Sequence, residues 1–205
     1  MADPRTTIQL DADDLEVVKP ISSVATLRIG EQPGLIQRIR GIARGELGQH
    51  EEDGENWGPA IRKYAAPFVS GPRLATFAPG QKRQGLLQWC SIFGCWCVFR
   101  GLEVDGRPPE QLREWRRLAS SEVPKLHERM DAAGLIVPFV PGEAPPGDTV
   151  FAFFRKLAHV AVFDGTMNLI AVTIDGNSGP RCVEVYENRH PLTDPRIDCW
   201  GRMPW

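Results

Sequence analysis

The chain has no surplus of charge, no long apolar run and no zinc-type cysteine spacing, and each absence removes a class of function. Its formal net charge is −2 over 205 residues. No global basic surface is therefore expected that would hold nucleic acid through its phosphates. The densest basic run, Arg113 to Arg117, reads as a solvated helix face. The longest apolar stretch, Ser91 to Phe99, is too short to span a bilayer, which takes about 20 apolar residues. The start, Met1 to Thr7, has no basic segment leading into an apolar one, so synthesis in the cytoplasm without a secretory signal peptide is expected. A substrate beyond the membrane would then be reached only by release or injection. Cys90, Cys95 and Cys97 contain no CxxC pair, and no histidine pair follows at ligand spacing, so neither a metal site nor a cofactor is expected. Five cysteines is an odd number, which leaves at least one thiol free within a chain, and reduced thiols are the default without a leader.

What is present is ordinary for a soluble globular protein: 42% hydrophobic and 24% charged residues. The length fits one domain with extra segments. Residues 1–30 mix acidic turns with short apolar runs and read as an N-terminal arm; residues 31–205 read as a single domain. Leu35, Ile36, Ile39, Ile42, Ala43 and Leu47 recur at helix spacing, with Gly48 as a stop. Asn56 is placed to cap a second helix with Pro59 in its first turn. Residues 85–102 form the most apolar helix candidate, and 108–133 a charged one, completing a helical half over 31–135. Pro138 to Gly147 reads as a linker.

The texture then changes to short runs rich in Val, Ile, Phe and Thr: Thr149–Phe154, His159–Phe163, Leu169–Ile174 and Cys182–Tyr186. Turn residues separate them, among them Asp164-Gly165 and Gly176 to Pro180. These predict antiparallel strands over 147–190, followed by a tail over 191–205. Helices first and strands second predict the α+β class.

Three positions carry the chemistry. Cys90 stands near the start of the apolar helix, where the positive end of the helix dipole favours the thiolate. At about 100° per residue, Cys97 falls on the same stripe two turns deeper, while Cys95 points about 140° away. A thiol nucleophile needs a base. Of four histidines, His50 is in a polar loop, His127 on a charged helix and His190 before Pro191, whereas His159 opens a strand whose alternation sends Val160 and Val162 to the core face. Asp175 and Asn177, two apart on the next strand, are both candidates to orient the imidazole. The Cys90 backbone N–H is the natural first oxyanion donor, with Gln84 or Gln88 as candidates for a second.

Trp89-Cys90-Ser91-x-Phe93 resembles the nucleophile motif of the cysteine, histidine-dependent amidohydrolase/peptidase (CHAP) family and its papain-like NlpC-type relatives. Upstream, Ala43-x-x-Glu46-Leu47-Gly48, Glu55-Asn56-x-Gly58-Pro59 and Tyr64 resemble the helical lead-in of CHAP-like lysins. Pro146-Gly147-Asp148-Thr149-Val150 resembles the family's turn into its first central strand. Ala158 to Val162 resembles its histidine strand, and Ile174-Asp175-Gly176-Asn177 its third-residue segment. The likeness spans roughly residues 35–188. Residues 70–84 and 101–145 run longer than the compact family core, and the nucleophile helix carries bulky Trp96 where small residues are common.

The resemblance implies a papain-like fold, with the nucleophile helix packed on a small antiparallel sheet. It also implies a peptidoglycan hydrolase cutting the muramoyl–L-alanine amide or a peptide bond of the stem or crossbridge. A phage lysin or an injected antibacterial effector would suit the missing leader, and the second would require an immunity protein as partner. The alternatives are a non-catalytic structural or binding module of a virion or secretion apparatus, and a cytosolic thiol amidase.

Overall fold

The structure, a computed structural model, describes residues 33–51, 58–68, 89–179 and 181–204. The arm, Glu55, Asn56, Gln84 and Gln88 lie outside these. Proline places several helix starts, because its fixed φ and missing N–H suit the first turn. Helix α1 spans Pro33–Gly45, α2 Pro59–Ala65, α3 Trp89–Val104, α4 Pro109–Leu118 and α5 Val123–Ala132. Prolines occupy the first or second position of α2, α4 and α5. The helix expected over 108–133 is two helices. The break lies between Ala119 (ψ 144) and Glu122 (ψ 122), neither helical, and there Ser120 Oγ accepts a hydrogen bond from the Glu122 N–H at 3.1 Å.

The strands are β1 (Ile136–Pro138), β2 (Thr149–Phe154), β3 (His159–Met167), β4 (Ile170–Ser178), β5 (Glu184–Pro191) and β6 (Ile197–Arg202). They form one sheet in the order β1-β6-β2-β3-β4-β5, antiparallel throughout. Helices leading into an antiparallel sheet are the α+β class. Strand β6 falls where a tail was expected, and β1 ends on Pro138, the first residue of the expected linker. Pro138 is tolerated in β1 because that strand lies at the sheet edge, and β6 sits between β1 and β2. Asp164-Gly165, expected as a turn, is a bulge inside β3, where the register with β4 shifts. The chain reverses instead at Asn168-Leu169, both left-handed at φ 50 and 61; nothing in a leucine announces that.

Alternation sorts the sheet's side chains into two apolar clusters. Phe151, Phe153, Val160, Val162 and Ile174 join the helices in the main core. Ala152, Phe154, Ala161, Phe163 and Trp200 form a second cluster with Leu192 and Ile197. The face opposite the helices is therefore also apolar. The outer edge of β5 is met by the segment after α1. Gly48 N–H donates to the Val185 carbonyl (3.0 Å), Val185 N–H to Gln49 (2.7 Å) and Glu51 N–H to Val183 (2.9 Å).

Helix α3 is buried on nearly every side, at thirteen of its sixteen residues, as befits a helix with neighbours all round. Glycines set its close approaches. A Cβ on Gly101 would lie 2.5 Å from Ile39 Cγ1 of α1, and one on Gly94 would lie 2.8 Å from Phe151 Cε1 of β2. Trp96 is accommodated away from the sheet, against Tyr64 of α2 with ring centroids 5.0 Å apart. Tyr64 in turn donates to Glu46 Oε2 at 2.8 Å, which ties α2 to the end of α1. Buried Arg40 fastens α1 to the sheet, donating to the carbonyls of Phe163 (3.1 Å) and Thr149 (3.2 Å). No helix among the described residues is long and apolar enough to cross a membrane.

Candidate active site

Cys90 is the second residue of α3 and His159 the first of β3, so the two meet where a helix start overhangs the end of the sheet. One contact sets that overhang. A Cβ on Gly176 of β4 would lie 2.8 Å from Phe93 Cβ and 3.0 Å from Trp89 Cε3. Only a glycine lets the first turn of α3 settle this closely on β4, beside the carboxylate that precedes it.

A hydrogen bond links the Cys90 and His159 side chains. His159 Nε2 lies 2.8 Å from Asp175 Oδ2. Since Asp175 takes Nε2, Nδ1 is the nitrogen left for the thiol. The far oxygen of the same carboxylate, Oδ1, accepts from the Thr173 hydroxyl at 2.6 Å. Cys90 and Asp175 are buried, at 2 % and 3 % exposure, while the His159 side chain retains 19 %. The histidine is thus the part of the chain of groups that faces outward.

The surroundings of His159 favour its protonated form. Burial opposes a charge on the imidazole, but hydrogen bonds to Asp175 and Cys90, and the negative charge of both, outweigh it, and His159 is pushed up to about 10. A protonated imidazole thus stands within hydrogen-bond reach of the Cys90 side chain at the start of α3. Burial pushes Cys95 and Cys199 up to about 12 and Cys97 well above the usual thiol range. Cys182 is exposed on the turn into β5.

The structure separates the two candidates for the third position. Asp175 holds the imidazole, whereas Asn177 has φ 58 and lies where the β4–β5 register breaks. The alternation that would have put both residues on one face stops between them. Gln84 and Gln88 fall outside the described residues.

Of the other histidines, His190 has a carboxylate partner, with Nδ1 3.2 Å from Asp194 Oδ2. That carboxylate is held well below its usual range, first by its hydrogen bond to Arg196. The free side of this imidazole is sterile: Nε2 is buried and has no hydrogen-bond partner among the described residues. His127 packs edge-on against Phe153 at 5.4 Å between centroids. Thr173 is the site residue that the sequence did not single out; the signal available was a hydroxyl two residues before the carboxylate on the same strand face.

No protein-family model matches the chain, and no match is found among curated proteins or solved structures.

Proposed function

We propose that the chain is a cysteine hydrolase of papain-like arrangement, with Cys90 as nucleophile, His159 as base and acid, and Asp175 orienting the imidazole. More particularly, its substrate is an amide bond of peptidoglycan, either muramoyl–L-alanine or a peptide bond of the stem or crossbridge. The observation that carries the chemistry is the run of hydrogen bonds from Cys90 through His159 to Asp175, at the start of a buried helix. The choice of substrate is supported by the likeness of the segments around Cys90, His159 and Asp175 to CHAP-type hydrolases.

The Cys90 thiolate attacks the amide carbonyl carbon. The negative oxygen that forms is held by the Cys90 N–H, which lies in the first turn, where N–H groups stand outside the helix's own ladder. His159 gives its proton to the leaving amine nitrogen as the C–N bond breaks, leaving a thioester and a neutral imidazole. Water then attacks the thioester, His159 takes its proton, and the acid departs as the thiolate returns. Asp175 keeps the ring oriented and stabilises its charge in both halves. The enzyme acts at the cell wall, as a phage lysin or as an injected effector restrained at home by an immunity protein.

The test is digestion of purified peptidoglycan by the wild type and by Cys90→Ala, with the released ends identified by mass spectrometry. New amine or carboxyl ends from the wild type alone are expected. No release by the wild type, or equal release by Cys90→Ala, overturns the proposal.

A further inference from the structure

Thr173 lies on β4, with a strand on either side, and its side chain is fully buried. Between Val172 and Ile174, at a fully buried strand position, the residue to expect is valine, which has the same shape without the hydroxyl. A buried hydroxyl is costly unless it is bonded. This one donates to Asp175 Oδ1 at 2.6 Å, while Asp175 Oδ2 serves His159 at 2.8 Å. With one oxygen held by each partner, rotation of the carboxylate about its Cβ–Cγ bond would break both hydrogen bonds. Threonine suits the task because its β-branch restricts χ1. Strand alternation brings the pair together, residues 173 and 175 sharing one face.

We propose that Thr173 is a positioning residue for the reaction, locking the plane of the Asp175 carboxylate so that the His159 imidazole stays aligned with the Cys90 sulfur. This role rests on the cysteine–histidine chemistry proposed above and adds a fourth member to it. Thr173 touches no substrate; it acts through Asp175 alone. Its hydroxyl is therefore needed for kcat and for thiolate reactivity, and not for KM.

The experiment compares Thr173→Val, Thr173→Ala and Thr173→Ser in the full chain. Ala and Ser both lose the methyl group and differ only in the hydroxyl, so they remain informative if the valine variant folds poorly. Two readouts are taken: iodoacetamide alkylation of Cys90 at pH 6, followed by peptide mass spectrometry, and kcat and KM on peptidoglycan. Val and Ala are expected to lose about tenfold in alkylation rate and in kcat, as for one hydrogen bond to a charged group, with KM within about twofold. Ser is expected to stay within about twofold of the wild type on both readouts. Wild-type rates in Val and Ala, or a loss in Ser equal to that in Ala, overturn the role of Thr173 alone. A wild-type Cys90 that reacts no faster than the exposed Cys182 overturns the cysteine–histidine chemistry itself, and Thr173's part falls with it.

Discussion

Removing the Asp175 carboxylate is the most direct perturbation of the site, and its size follows from the geometry. In Asp175→Ala the imidazole loses a 2.8 Å partner that bears a full opposite charge. The site is buried, so water does not readily replace that partner. A hydrogen bond to a charged group is worth about 1.5–3 kcal/mol, and about 1.4 kcal/mol is tenfold in rate. The expected loss in kcat/KM is thus roughly 10- to 150-fold. Asp175→Asn keeps an oxygen for Nε2–H but not the charge, and falls between the wild type and Asp175→Ala. Asn177→Ala serves as the control and stays within about twofold, because residue 177 has turned out of the strand's alternation. The assay is dye release from labelled peptidoglycan across a range of concentrations, with a thermal melt for each variant to show that it is folded. If folded Asp175→Ala keeps wild-type kcat/KM while Asn177→Ala loses tenfold or more, the third residue has been misassigned and the account of the imidazole's charge fails with it.

The raised His159 couples stability to pH. Its folded value of about 10 lies above the ordinary 6.5, so its contribution is complete below about 6.5 and is lost as pH rises towards 10. Urea unfolding between pH 6.5 and 10 should show wild-type stability falling towards that of Asp175→Ala; parallel curves for the two proteins contradict this. Gly176→Ala sets a methyl 2.8 Å from Phe93 Cβ and is expected to cost about 1–3 kcal/mol as overpacking. It should also reduce Cys90 reactivity by lifting α3 from β4; a full-stability variant with an untouched alkylation rate argues against that close approach. At pH 6, alkylation should reach Cys90 before Cys95, Cys97 and Cys199, whose thiols burial holds protonated. Equal labelling of all four, followed by peptide mapping, counts against an activated Cys90.

Much of this molecule was legible as pattern. Helix spacing in residues 35–47 foretold α1, and short runs rich in Val, Ile, Phe and Thr between turn residues foretold β2 to β5, because such patterns depend mainly on which side chains avoid water. The apolar length of α3 marked it as central, and its start singled out Cys90 through the dipole of the helix's own backbone. Opening a strand singled out His159. What misled were signals with two meanings. Asp164-Gly165 is a turn sequence that also makes a bulge, and Pro138 belongs equally to a linker and to an edge strand.

The sequence by itself thus determined the residue types, their order and the local geometry that readies a thiol and an imidazole, since these arise from neighbours along the chain. Only the tertiary structure decided which partner each group meets. The turn residues from Gly176 onward marked where alternation could stop, but only the packing of β4 beside β3 set Asp175, and not Asn177, against His159. Thr173 reaches Asp175 along its own strand, but only the pairing of β3 with β4 gave that carboxylate His159 as its second partner. Gly176 set how close the helix comes, through a contact between segments more than eighty residues apart in the chain. Hydrogen bonds and steric contacts of this kind act over a few ångströms, and it is the packing of α3 on β3 and β4 that brings Cys90, His159 and Asp175 within that range.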